Sequence, residues 1–115
     1  MAENKLADMS TEFAIQILKL TENIKGHYSL SNQLERSGTS IGANIREANY
    51  GQSKADMLSK FEIALKECSE TEGWLRLLYN TNSIGEETYK NYRNLCGRIR
   101  RMLISSCKTL KEHAK

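Results

Sequence analysis

Arg36 to Ala48 reads RSGTSIGANIREA, and the fold turns on whether this stretch is a loop or a helix. Its small polar residues and two glycines suit a phosphate-binding loop; Ile41, Ile45 and Ala48 suit a helix. Each residue turns about 100° round an α-helix. On that wheel Leu34, Ile41, Ile45 and Ala48 fall together, with Ser37, Gly38 and Asn44 among or beside them. Gly42 lies at the edge, one turn past Gly38, while Arg36, Thr39, Ala43, Arg46 and Glu47 face elsewhere. A phosphate loop needs a strand before it and a Gly-Lys-Ser/Thr end; neither is present. The stretch reads as helix. A glycine inside a helix costs about 1 kcal/mol relative to alanine, so Gly38 and Gly42 imply that a neighbouring helix comes close. Asn44, near the apolar face, needs a hydrogen-bond partner.

The same periodicity extends both ways. Leu6, Met9, Phe13, Ile17, Leu20 and Ile24 define one face of a first helix. Gly26 follows where a C-terminal glycine is expected, and Ser29 or Ser31 can cap the second helix. That helix carries Leu30, Leu34, Ile41, Ile45 and Ala48 and closes at Gly51. Ser53 to Asp56 resembles a capping box with Asp in place of Glu, and Ser83 with Glu86 makes a second box. Between them Met57, Phe61, Ala64, Leu65, Cys68, Leu75 and Leu78 mark a third helix; Tyr92, Leu95, Ile99, Met102, Leu103, Ser106 and Leu110 mark a fourth. Four amphipathic helices with short links predict an all-α, antiparallel up-down-up-down four-helix bundle, one domain over residues 1–115.

Composition agrees. A chain of 115 residues without proline has room for one modest core and favours helix nearly throughout. No apolar run approaches the roughly 20 residues that span a bilayer, and MAENKLADMSTEF is charged where an export signal needs an apolar core. Cys68, Cys96 and Cys107 are an odd count without metal-ligand spacing, as expected of free thiols in a reducing cytoplasm. His27 and His113 occupy a turn and a tail, and no Glu-x-x-His pair exists for a di-iron site. Ser105 and Lys108 match Ser-x-x-Lys without its companion motifs. Glu67 and Glu70 share a face, where lysine or arginine neighbours are the common outcome. The expectation is a protein with no catalytic residue, no metal and no cofactor.

Two helix faces ask for more than a lone bundle. Trp74 lies about 120° from the third helix's stripe and Leu77 almost opposite it. With Lys66 and Glu70 beside them they make a mixed surface suited to a subunit interface. The net charge is +3, yet residues 86–115 carry eight bases against three acids. Lys90, Arg93, Arg100, Arg101, Lys108, Lys111 and Lys115 fall within about 100°, roughly opposite the fourth helix's core stripe, and only Arg98 lies outside. Such a stripe attracts phosphate backbones without reading bases, and an acidic protein surface could use it too. No aromatic residue interleaves it to stack bases.

QLERSGTSIGANIREA (Gln33–Ala48) followed by QSKADMLSKFEIALKECSETEGWLRLL (Gln52–Leu78) closely resembles the four-helix-bundle proteins of intervening sequences in bacterial 23S ribosomal RNA genes. The accessory variability determinant of diversity-generating retroelements is related to them. Ser37, Gly38, Ser40, Ile41, Asn44 and Glu47 match the family's second-helix block, and Glu70, Thr71, Trp74 and Leu75 its third-helix block. Gly73, where an aromatic is expected, and Glu35, where leucine is frequent, depart from the pattern. The resemblance implies a homopentamer with a basic surface. The expected function is non-enzymatic binding of nucleic acid, RNA before DNA, through Lys90, Arg93, Arg100, Arg101, Lys108 and Lys111. Ser37, Gly38, Gly42, Asn44, Glu70, Trp74 and Leu77 are expected in helix packing or the subunit interface. The alternative is a protein-interaction scaffold or accessory subunit, for example of a reverse transcriptase, with no nucleic-acid affinity of its own.

Overall fold

A computed structural model describes residues 2–113, with side chains from residue 5; Lys115 of the basic stripe lies outside the described residues. Four helices, α1 (Ala2–Glu22), α2 (Tyr28–Asn49), α3 (Lys54–Asn80) and α4 (Glu86–His113), form a rod of 47 × 20 × 20 Å. Consecutive helices pack against each other and α4 returns to α1, which it touches least. This is the expected up-down-up-down bundle. The core is one cluster drawn from all four helices, including Phe13, Ile17, Leu34, Ile41, Ile45, Phe61, Leu75, Leu78, Ile99 and Leu103. All three cysteines are buried in it and free.

The RSGTSIGANIREA segment is helical from end to end. A Cβ on Gly38 would stand 3.0 Å from the Ile17 side chain of α1, and one on Gly42 would stand 3.3 Å from Ser10 Oγ. The glycines therefore serve the α1–α2 contact. Ser37 faces the other way: its buried hydroxyl accepts a hydrogen bond from Thr71 Oγ1 of α3 at 2.9 Å. Asn44 finds its partner locally, donating from Nδ2 to the Ser40 carbonyl at 2.8 Å. Glu35 accepts from Thr21 Oγ1 of α1 at 3.0 Å, a contact that leucine could not make.

The caps differ from expectation at two of three turns. Gly26 (φ 76°) and His27 (φ 48°) are both left-handed, and they reverse the chain so early that α2 begins at Tyr28. Ser29 and Ser31 are therefore inside the helix and neither caps it; the His27 carbonyl receives the first amides instead. Ser53 does cap α3, accepting from the Asp56 amide at 3.1 Å. The Ser83–Glu86 box does not form. Asn82 is left-handed (φ 61°), its amide bonds Tyr79 O, and the Ser83 amide bonds Leu78 O at 2.8 Å. These two bonds make a Schellman ending for α3. With its backbone so held, Ser83 turns its hydroxyl to Thr81 Oγ1 at 3.1 Å, and α4 starts from the Gly85 carbonyl.

Candidate nucleic-acid interface

The fourth helix is rotated from its expected setting. Its buried residues are Cys96, Gly97, Ile99, Leu103 and Cys107, while Tyr92, Leu95, Met102, Ser106 and Leu110 are half-buried. The buried side thus lies roughly 50° from the expected stripe, turned toward α3, because α4 packs chiefly on α3 and only lightly on α1. The basic arc consequently lies beside the core and borders the α3 seam rather than standing opposite.

That rotation sorts the six candidate bases. Arg100 is half-buried, with its Nε 3.5 Å from Glu72 Oε1 of α3 and no hydrogen bond to that buried nitrogen among the described residues. Lys111 reaches Glu62 of α3 at 3.6 Å, and Lys90 pairs with Glu86 one turn back at 3.1 Å. Exposed pairs of this kind contribute at most about 1 kcal/mol, but they trim the local field. Arg93, Arg101 and Lys108 are exposed and have no carboxylate partner among the described residues. Gly97 lies on the same side and is nevertheless buried. Long helical side chains lean toward the N-terminus, and Arg101 Nη1 and Arg100 Nη2 lie over this glycine, the former 3.3 Å from where a Cβ would be.

Two neighbours of the stripe are placed there by the helical wheel itself, Ile104 within the basic arc and Tyr89 about 20° beyond its edge. Ile104, 48% exposed, stands between Arg101 and Lys108. Tyr89 of α4 stacks on Tyr79 of α3 with ring centroids 4.7 Å apart and planes 2° from parallel. The Arg93 guanidinium carbon lies 5.2 Å from the Tyr89 ring centre. No aromatic residue interleaves the stripe, as expected, but Tyr89 of α4 borders it, stacked on a ring that comes from the other helix.

The second set of candidate residues surrounds the α2–α3 seam. Arg36 Nη1 bonds Glu67 Oε2 at 3.0 Å and Nη2 bonds Glu70. Glu67 is 6% exposed. Burial first, then hydrogen bonding with and charge from Glu70, push its carboxyl above the ordinary glutamate range; Arg36 and Ser40 pull the other way but do not prevail. Arg36 is shared, and its own affinity for a proton is raised by bonding to Glu70 and then by the charge of Glu67. Trp74 is half-buried against the core, not exposed as the wheel implied, and its buried indole N–H has no partner among the described residues. Leu77 is exposed at 44%.

A pH dependence follows for the α2–α3 seam. The folded chain holds a proton on Glu67 more tightly than the unfolded chain does, so this group's contribution to stability is fully present below the ordinary glutamate value. It falls as pH rises through the raised folded value. Glu67→Gln removes this loss, so its unfolding temperature should gain on wild type as pH rises from the ordinary glutamate value through the raised folded one. Parallel curves over that range would show that Glu67 ionises as freely in the fold as outside it.

Among the described residues, no three His, Cys, Asp or Glu side chains converge as metal ligands, and no helix is long and apolar enough to cross a membrane. The family model of the 23S rRNA-intervening sequence protein matches residues 2–105. The chain is also similar to a protein of unknown function from the S23 ribosomal protein family of Bacteroides thetaiotaomicron. Identity with that crystal structure is 46%, with a TM-score of 0.89 over 94% of this chain and 99% of the other. No curated protein matches the chain significantly.

Proposed function

The chain belongs to the 23S rRNA-intervening sequence protein family, and from that premise we propose that it is a non-enzymatic, homo-oligomeric binder of nucleic acid, RNA before DNA. The observation that carries this reading is the set Arg93, Arg101 and Lys108, exposed along one side of α4 without internal carboxylate partners. Lys90, Arg100 and Lys111 add charge once a phosphate competes with their acids. Contacts of this kind hold the backbone and leave base sequence unread. The family resemblance supplies a pentamer as the working assembly. Repeating the stripe in each subunit would multiply weak contacts where one strand spans several copies.

Exposed Ile104 within the stripe favours a second reading, in which α4 receives an acidic protein surface with an apolar centre, such as that of a reverse transcriptase. The two separate by experiment. Binding to labelled structured RNA and to duplex DNA is measured across a salt titration. Three phosphate contacts on a duplex should give a slope of about −2.7 in log K against log salt. No association with either polymer at low salt would remove the nucleic-acid reading and leave the protein partner.

A further inference from the structure

We propose that the Tyr79–Tyr89–Arg93 stack docks an unpaired nucleobase, so that the preferred polymer is single-stranded or looped RNA rather than a duplex. The inference rests on the phosphate-binding reading of α4 and adds a base contact to it.

Tyr79 belongs to the last turn of α3 and Tyr89 to the first turn of α4. The tight turn between them brings the two rings together in parallel at 4.7 Å. Arg93 follows Tyr89 by one helical turn and lays its guanidinium over that ring at 5.2 Å. Attraction to the ring is through its π-face, which leaves the guanidinium N–H donors free for phosphate oxygens or base edges. A planar cation held over a ring, exposed and unclaimed by a carboxylate among the described residues is a surface on which a base can stack. Lys108 has charge without a plane, and Arg101 is laid along Gly97 rather than over a ring.

The surroundings fit a base more than a phosphate alone. Asn80 and Asn82 flank Thr81 in the adjoining turn, all three exposed. Their backbone is set by the Schellman bonds to Leu78 and Tyr79. The two side-chain amides, each both donor and acceptor, can address a base edge. The up-down topology brings the α1–α2 turn to the same end of the rod, and Tyr28 there is 70% exposed. Bases within a duplex are stacked on one another and cannot enter such a platform. From this end the stripe continues down α4 to Arg101 and Lys108, which would take the phosphates that follow.

The test uses single-stranded RNA carrying one fluorescent adenine analogue that is quenched on stacking, and a duplex of the same sequence. Wild type is compared with Arg93→Lys, which keeps the charge and loses the plane, and with Tyr89→Leu; thermal unfolding checks each fold. The expected result is quenching by wild type and roughly tenfold weaker single-strand binding by Arg93→Lys, a loss several times larger than the same variant shows on the duplex, where the lysine still supplies its charge to a phosphate. Single-strand binding without quenching, equal in wild type and Arg93→Lys, would overturn the stack as a base site and leave the phosphate reading standing. No binding of either polymer would overturn both. Arg93→Lys retains the protein's charge and touches no core residue, so the comparison stands even where Tyr89→Leu fails to fold.

Discussion

Reversing Arg101 and Lys108 together to glutamate is expected to weaken RNA binding roughly a hundredfold at low salt, about tenfold for each lost phosphate contact. Both side chains are exposed and neither has an internal carboxylate partner among the described residues. The double variant should therefore unfold at the wild-type temperature and keep its oligomer mass. The salt slope should fall by about one for each contact removed. Arg100→Glu is a poorer probe, because it would set a carboxylate against Glu72 of α3 beside the buried Cys96. Lost binding there would be confounded with a loosened α3–α4 seam. Unchanged affinity in a well-folded Arg101→Glu, Lys108→Glu variant would dismiss the middle of α4 as the phosphate site.

The largest loss of stability from a single truncation should come from Phe13→Ala. Helices α1 and α4 touch less than any other neighbouring pair, and the seam between them is clasped by a few groups. Phe13, 2% exposed, packs at a tilt on Tyr92 with ring centroids 6.3 Å apart. The Tyr92 hydroxyl donates to the Gln16 carbonyl at 2.8 Å. Burial raises the proton affinity of that phenol. Removing the Phe13 ring deletes core volume at this thin contact and takes the support from under Tyr92. The expected cost is about 3–5 kcal/mol, which lowers the unfolding temperature by roughly 15 °C in a domain of this size. Leu18→Ala on the exposed side of the same helix, where Leu18 is 41% exposed, should cost less than about 1 kcal/mol. A loss below that figure for Phe13→Ala would mean that the seam closes without the ring.

Particular residues show how far the candidate site was legible. The helix through Gly38 and Gly42 and the basic arc of α4 follow from spacing within one segment. The sharing of Arg36 by Glu67 and Glu70 does not, because its partners lie 31 and 34 residues away on another helix. The Tyr79–Tyr89 stack escaped for the same reason: Tyr79 lies within the apolar stripe of its own wheel and Tyr89 at the edge of its own, and neither wheel shows the other ring. Ser31 and Ser83 misled as caps because left-handed His27 and Asn82 had already settled how the turns were closed. His and Asn take a positive φ more readily than most residues, but neither announces it as glycine does.

The order of the amino acids by itself determined four helices, their antiparallel sequence and most of the core residues of α1, α2 and α3. Those properties depend on local periodicity and on the absence of proline, and each helix carries its own evidence. Only the tertiary structure decided how far each helix turns about its axis. An apolar face about 100° wide or more can be buried at several neighbouring rotations, and the choice falls to the packing partner. Close packing on α3 and light packing on α1 drew Cys96 and Cys107 inward. That rotation paired Arg100 and Lys111 with acids of α3 and left Arg93, Arg101 and Lys108 open to a partner.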